Sequence, residues 1–227
     1  MEKIDLKRTL KHLYAPSTRE MAFVDVPAMN FLMVDGRGDP NGSREYSEAA
    51  EALYSTAYTL KFMVKQGQAG IDYGVMPLEG LWWSDDPNDF LAGNKGNWQW
   101  TAMIMQPEYV TAELFDDGLA TVSARKTLPA LSRLRFERFA EGHAAQVMHV
   151  GPYAAEGPTI QRLHGFIAEG GHELSGKHHE IYISDPGRTK PEKLLTVIRQ
   201  PARPEARGEP AGEGLHTPSS RAPRVSS

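Results

Sequence analysis

The chain has 227 residues, 40% hydrophobic and 24% charged, enough apolar material for one large globular domain or two small ones. A formal net charge of −4 gives no general attraction for nucleic acid or an anionic membrane, and the absence of cysteine excludes disulfides, thiol nucleophiles and thiolate metal sites. The N-terminus lacks the apolar core of a signal peptide and no run nears the ~18 apolar residues of a membrane span, so a cytoplasmic location is expected.

In chain order, "FLMVDGRGDPN" (31–41) reads as a strand leading into a glycine-containing turn. Tyr46, Ala50, Leu53, Ala57, Leu60 and Val64 then recur at three- and four-residue steps, which predicts a helix over 43–66 with polar residues before it and Gly67 as its stop. "YGVMPLEGLWWSDDP" (73–87) and "NWQWTAMIMQP" (97–107) read as strands. A connecting helix over 108–126 follows, with Thr111 able to cap it and Phe115, Leu119 and Val122 on one face. "SRLRFERFAEG" (132–142) is expected to pair with the 143–153 strand across an Ala-Glu-Gly turn.

The order then repeats: "QVMHVGPYAAEGP" (146–158), a shorter amphipathic stretch (159–169), "HHEIYISDP" (178–186) and "KLLTVIRQP" (193–201). Each unit is strand, turn, helix, strand and strand. Two units, about 21–107 and 132–203, form one expected domain over 1–203. The fold class expected is α+β, a mostly antiparallel sheet with helices on one side and a ligand cleft at the pseudo-twofold seam. Residues 204–227, rich in Pro, Gly and Ser, are expected to form a disordered tail.

Glu180 is the letter that does not fit its strand. Alternation places Glu180 and Tyr182 on one face and Ile181 and Ile183 on the other; with the isoleucines under the helices, Glu180 should point away from them. Counting back from the closing prolines, Trp83 takes the place of Tyr182 in the first unit, so an aromatic wall of Trp83, Trp98 and Trp100 should confront the acid. An acid facing indoles suits a flat, apolar or cationic ligand. Tyr54, Tyr58 and Tyr153 are further lining candidates, although the helical spacing of Tyr54 and Tyr58 also fits packing. Glu79 reads as a surface or cross-strand residue. His172, His178 and His179 do not make a metal site, since adjacent strand residues point to opposite faces, and no cofactor is expected.

"MPLEGLWW", "MIMQPEYVT", "VMHVGPY", "HHEIYISDP" and "LLTVIRQP" together resemble the GyrI-like small-molecule-binding domains, in particular the stand-alone branch with cyclopropanoid cyclopropyl hydrolases, over about residues 1 to 202. The resemblance implies a duplicated β-α-β-β fold and a cleft binding flat lipophilic, often cationic compounds between aromatic residues and a buried acid, matched by Glu180 with Tyr182 after it. It implies hydrolysis of the cyclopropane of genotoxic natural products, with Glu180 as general base, Tyr182 orienting or donating, and detoxification as the outcome. The alternative is a non-catalytic multidrug-binding or sequestering module, or an effector-binding partner of a transcription regulator. A third reading, haem binding, comes from related duplicated folds. The partner is in the first two cases a lipophilic, cationic or cyclopropane-containing small molecule, with no direct contact to nucleic acid or membrane.

Overall fold

The computed structural model describes residues 2–86 and 94–205; the tail expected at 204–227 falls almost entirely outside the described residues. Among the described residues are eleven strands, β1 (Glu2–Ile4), β2 (Ala22–Val26), β3 (Met29–Arg37), β4 (Ile71–Tyr73), β5 (Leu78–Trp83), β6 (Gln99–Gln106), β7 (Arg135–Phe139), β8 (Gly142–Val150), β9 (His172–Leu174), β10 (His178–Tyr182) and β11 (Leu195–Pro204). The helices are α1 (Leu6–Thr9), α2 (Lys11–Tyr14), α3 (Arg44–Gln66), α4 (Ala112–Arg125) and α5 (Gly157–Glu169). No helix is long and apolar enough to cross a membrane.

The local chemistry of the two longer helices matches their sequence signals. The Ser43 hydroxyl accepts from the Tyr46 amide at 3.2 Å to open α3, and Gly67 closes it. Thr111 does the same for α4, accepting from the Leu114 amide at 3.2 Å. Such caps contribute about 1 kcal/mol each. The buried stripe of α3, including Leu53, Ala57 and Leu60, packs on the sheet, and burying each such leucine is worth roughly 1.5–3 kcal/mol.

Nine strands form one antiparallel sheet in the order β2-β8-β11-β10-β5-β6-β3-β7, with β9 on the end of β11; β1 and β4 pair separately and in parallel. The architecture is α+β. The β10–β5 ladder is the line along which strands of the first and second halves of the chain meet, called the seam below: β6 and β3 lie on one side of it, β11 and β8 on the other. Its register sets Glu180 opposite Gly80 and His178 opposite Trp82.

One strand pairing differs from expectation. β7 does not fold back on β8; it pairs with β3, while β8 pairs with β2 and β11. Val26 pairs with Gly142 and Met29 with Phe139, so the register runs straight through the break at Pro27 and Ala28. β2–β3 and β7–β8 are thus two long bent strands of one ribbon, which joins the two edges of the sheet. Gly142, at φ 79°, supplies a bend in a continuing strand rather than a hairpin turn.

A second difference concerns the faces. Glu180 pairs with Ile198, which packs with Leu163 and Ile167 of α5, and Trp82, on the same face, contacts Tyr46 of α3. Glu180 and Tyr182 therefore lie under the helices α3 and α5. Ile181 and His179 face the opposite side, which is covered by α2 through Leu13 and Tyr14. Both faces are covered by helices at this strand, so burial of the isoleucine leaves the acid only 14% exposed rather than open to solvent.

Candidate functional site

The acid at the seam is enclosed by residues from four elements. The Tyr182 hydroxyl donates to Glu180 Oε2 at 2.8 Å, and His178 Nε2 lies 3.4 Å from Glu180 Oε1. On β5, the Trp82 indole occupies the space a Gly80 side chain would take, beside Glu180's cross-strand partner. Trp82 is buried, and its Nε1 has no hydrogen-bond partner among the described residues. From α3, Tyr46 packs 5.7 Å from the Trp82 ring and its hydroxyl adjoins Tyr182. From the start of α5 comes a second carboxyl, Glu156.

Glu156 is the residue that sequence reasoning missed. It stands at the N-cap of α5 yet makes no side-chain cap bond, and its carboxyl adjoins Glu180 and Thr196 instead. Only 4% of Glu156 is exposed. Burial, then the neighbouring Glu180 charge, raises its pKa to about 9 against a weaker lowering by the Thr196 hydroxyl. Glu180 moves the other way. Burial alone would raise it, but hydrogen bonding and charge from His178, with the Tyr182 hydroxyl, hold it below the usual carboxyl range. At neutral pH the pair is one carboxylic acid beside one carboxylate, the arrangement that separates proton donor from proton acceptor. Tyr182, driven upward by burial and then by the Glu180 charge, keeps its proton.

The remaining candidates divide. Tyr153 meets Tyr182 edge-on at 5.4 Å and is 37% exposed, which places it at the rim. Tyr54 is equally exposed, on the turn of α3 beyond Ala50 and near Tyr46 and Tyr153. Trp98 is partly buried, 5.9 Å from Trp82, with Lys95 Nζ 5.3 Å from its ring. Tyr58 lies one turn outward from Tyr54, on the open side of α3.

Two tryptophans do not stand where expected. Trp83 shares a face with Glu79 and Leu81, opposite to Glu180, and its ring carries Lys177 Nζ at 3.3 Å. The count from the closing prolines was therefore one residue out, and Trp82 holds the place beside the acid. Trp100 is on the correct face but fully buried, pressed on Gly36 and beneath Tyr46, so no ligand can stack on it. It is core.

Behind the seam, on the other face, lies a buried charge network. Glu79, fully buried rather than at the surface, accepts from the Tyr14 hydroxyl at 2.8 Å and meets His179 Nε2 at 2.9 Å. His179 Nδ1 reaches Glu141 at 2.9 Å, and Glu141 accepts from Arg199 at 3.0 Å. Arg199 also donates to Gln146 and to the Leu13 carbonyl. Two carboxylates and two basic side chains thus close on one another. His178 and His179 serve opposite faces, while His172 stacks on His143 at the sheet edge.

The sequence matches the GyrI-like small molecule binding domain over residues 19–203. This chain belongs to the GyrI-like family. A search of curated proteins gives no match. Among solved structures, an uncharacterized conserved protein from Listeria innocua is 40% identical, with a TM-score of 0.80, over 88% of this chain and 100% of that one. A hydrolase from Listeria innocua is 39% identical with a TM-score of 0.77, again over 88% and 100%. The EcmrR C-terminal domain, at 12% identity and a TM-score of 0.53 over 82% of this chain and 98% of that one, shares the fold alone. This GyrI-like domain is thus a small-molecule-binding fold whose seam, in this chain, carries two unlike carboxyls.

Proposed function

We propose that this GyrI-like protein hydrolyses the strained ring of a flat, cyclopropane-containing aromatic compound at the Glu156–Glu180 pair. The observation that carries the reading is the meeting of two carboxyls in one enclosed site, Glu156 only 4% exposed and Glu180 held by the Tyr182 hydroxyl at 2.8 Å and His178 at 3.4 Å; the opposite directions of their pKa shifts agree with it. Support comes also from the Listeria innocua protein named a hydrolase, which matches over its whole length.

In such a compound the ring is spiro-fused to a conjugated dienone. Glu180 removes a proton from a water molecule as the water oxygen bonds to the ring CH₂. The cyclopropane C–C bond breaks, its electron pair moves into the dienone, and the former carbonyl oxygen takes the Glu156 proton to become a phenol. The proton gained by Glu180 then passes to Glu156, restoring the pair. Tyr182, occupied with Glu180, orients the base; Trp82 backs the site from the core, and Tyr153 and Tyr54 supply the exposed aromatic walls. The product is the substrate plus one water.

The test is incubation of the purified protein with a spirocyclopropyl dienone, followed by mass spectrometry. A water adduct formed by wild type, and lost in both Glu180→Gln and Glu156→Gln, supports hydrolysis. Tight binding with no adduct supports the second reading, a sequestering module. That reading is favoured by one feature, an ionised Glu180 among Tyr46, Tyr153 and Tyr182, which suits a lipophilic cation.

A further inference from the structure

The outer surface of α3 carries three partly exposed aromatic side chains. Tyr54, Tyr58 and Phe62 follow at four-residue spacing and are 37%, 49% and 49% exposed. Packed helices normally turn such residues inward, and a row of exposed rings marks a surface that binds something. Here the row borders a groove between α3 and α4 of about 590 Å³, a volume within the range of small-molecule sites. Val122 of α4 adds to its apolar wall.

The end of α4 sets the charge of this groove. Lys126 is engaged, with its Nζ 3.6 Å from Glu51 and 3.2 Å from the Ser55 hydroxyl. Arg125 lines the same groove and has no side-chain partner among the described residues. Glu51 and Lys126 offset one another, which leaves one unpaired positive charge beside an aromatic stripe. A guanidinium matches a carboxylate or sulfonate by two parallel hydrogen bonds, and the rings match a flat hydrocarbon.

We infer that the α3–α4 groove is a second ligand site, taking a flat aromatic anion with its rings on Tyr58 and Phe62 and its acid group on Arg125. Its electrostatic preference is opposite to that of the seam, where the fixed charge is the Glu180 carboxylate. Tyr54 is the residue the two sites share. The inference does not depend on the hydrolytic reading, since Tyr58, Phe62 and Arg125, which would hold the ligand, take no part in it and no reaction is involved.

The full chain titrated with 8-anilinonaphthalene-1-sulfonate, read by fluorescence, tests it. One probe should bind per chain, and the neutral N-phenyl-1-naphthylamine should bind more weakly. Phe62→Ala should raise Kd about tenfold, from the loss of one aromatic contact. Arg125→Gln should raise Kd roughly fivefold and flatten its dependence on salt. Glu180→Gln should leave Kd unchanged. Both groove side chains are exposed, so these variants retain the fold, which circular dichroism checks. Loss of probe binding in Glu180→Gln with none in Phe62→Ala, or no binding at all, overturns the inference. So does sedimentation showing that Phe62→Ala converts a dimer to a monomer, which makes the groove an interface between copies of this chain.

Discussion

Glu180 and Gly80 are cross-strand partners, and the volume that a Gly80 side chain would fill is taken by the Trp82 indole. A Cβ at position 80 would lie 2.7 Å from Trp82 Nε1 and 2.9 Å from Cε2. The backbone there is not in the left-handed region, so the obstacle is packing alone. Gly80→Ala should therefore displace Trp82 and lower stability by about 1–3 kcal/mol, the usual range for overpacking. Urea denaturation measures the loss, and tryptophan emission reports the moved ring. Wild-type values for both would mean that Trp82 does not press on the seam as described.

Glu156 should make folding less favourable as the pH rises. Its unfolded carboxyl titrates near 4.5 and its folded one near 9, so across that interval the folded state holds a proton the unfolded state has released. Stability contributed by this group is greatest below the unfolded value and declines up to the folded one. Glu156→Gln imitates the protonated acid and carries no such dependence. The variant should gain on wild type between about pH 5 and about pH 8, in denaturant midpoints taken across that range. An advantage that is flat with pH would show that Glu156 ionises in the folded chain as it does in water. The same variant should lose hydrolysis while still binding ligand.

In the proposed hydrolysis, Tyr182 acts through Glu180. Tyr182→Phe removes the 2.8 Å donor and should let the Glu180 pKa rise. The acidic limb of the hydrolysis pH profile should then move to higher pH. The fall in kcat should be roughly tenfold, against a hundredfold or more for Glu180→Gln, which removes the base itself. A loss of rate with the limb unmoved would assign Tyr182 to packing.

How far the sequence discloses this arrangement depends on which forces act locally. α3 and α4 are legible because their apolar spacing and the polar caps Ser43 and Thr111 act within a few residues. Glu180 is legible as an acid in an otherwise apolar strand. Its face is not, because alternation separates inside from outside only when one face is wet, and here α2 covers one side while α3 and α5 cover the other. Glu156 gives one weak signal: glutamate is a poor helix cap, and this one directly precedes the Gly157-Pro158 opening of α5 without capping it. The β7–β8 junction shows the limit of turn chemistry. The Glu141-Gly142 pair reads as a hairpin, but the Glu141 carboxyl is anchored beneath the sheet by His179 and Arg199, which holds the strand to its bent course.

That anchorage gives the last prediction. Burial alone would lower the His179 pKa, but the Glu141 carboxylate and then Glu79 raise it to about 9; burial alone would raise Glu141, but His179 and then Arg199 hold it at about 2. The signs follow from linkage. Stability from His179 is fully present below its unfolded value of 6.5 and is lost as the pH rises through about 9. Stability from Glu141 is present above its unfolded value of 4.5 and is lost as the pH falls toward about 2. Removing one partner strands the others in a dry interior, so Glu141→Gln or His179→Asn should each lower stability by about 3–5 kcal/mol. The double variant should lose much less than the sum of the two, since the second change removes a charge already left unpaired. Urea titrations of all four proteins near neutral pH measure this. Strict additivity would mean that Glu141 and His179 do not interact, and that the bent strand beneath the seam is held by packing alone.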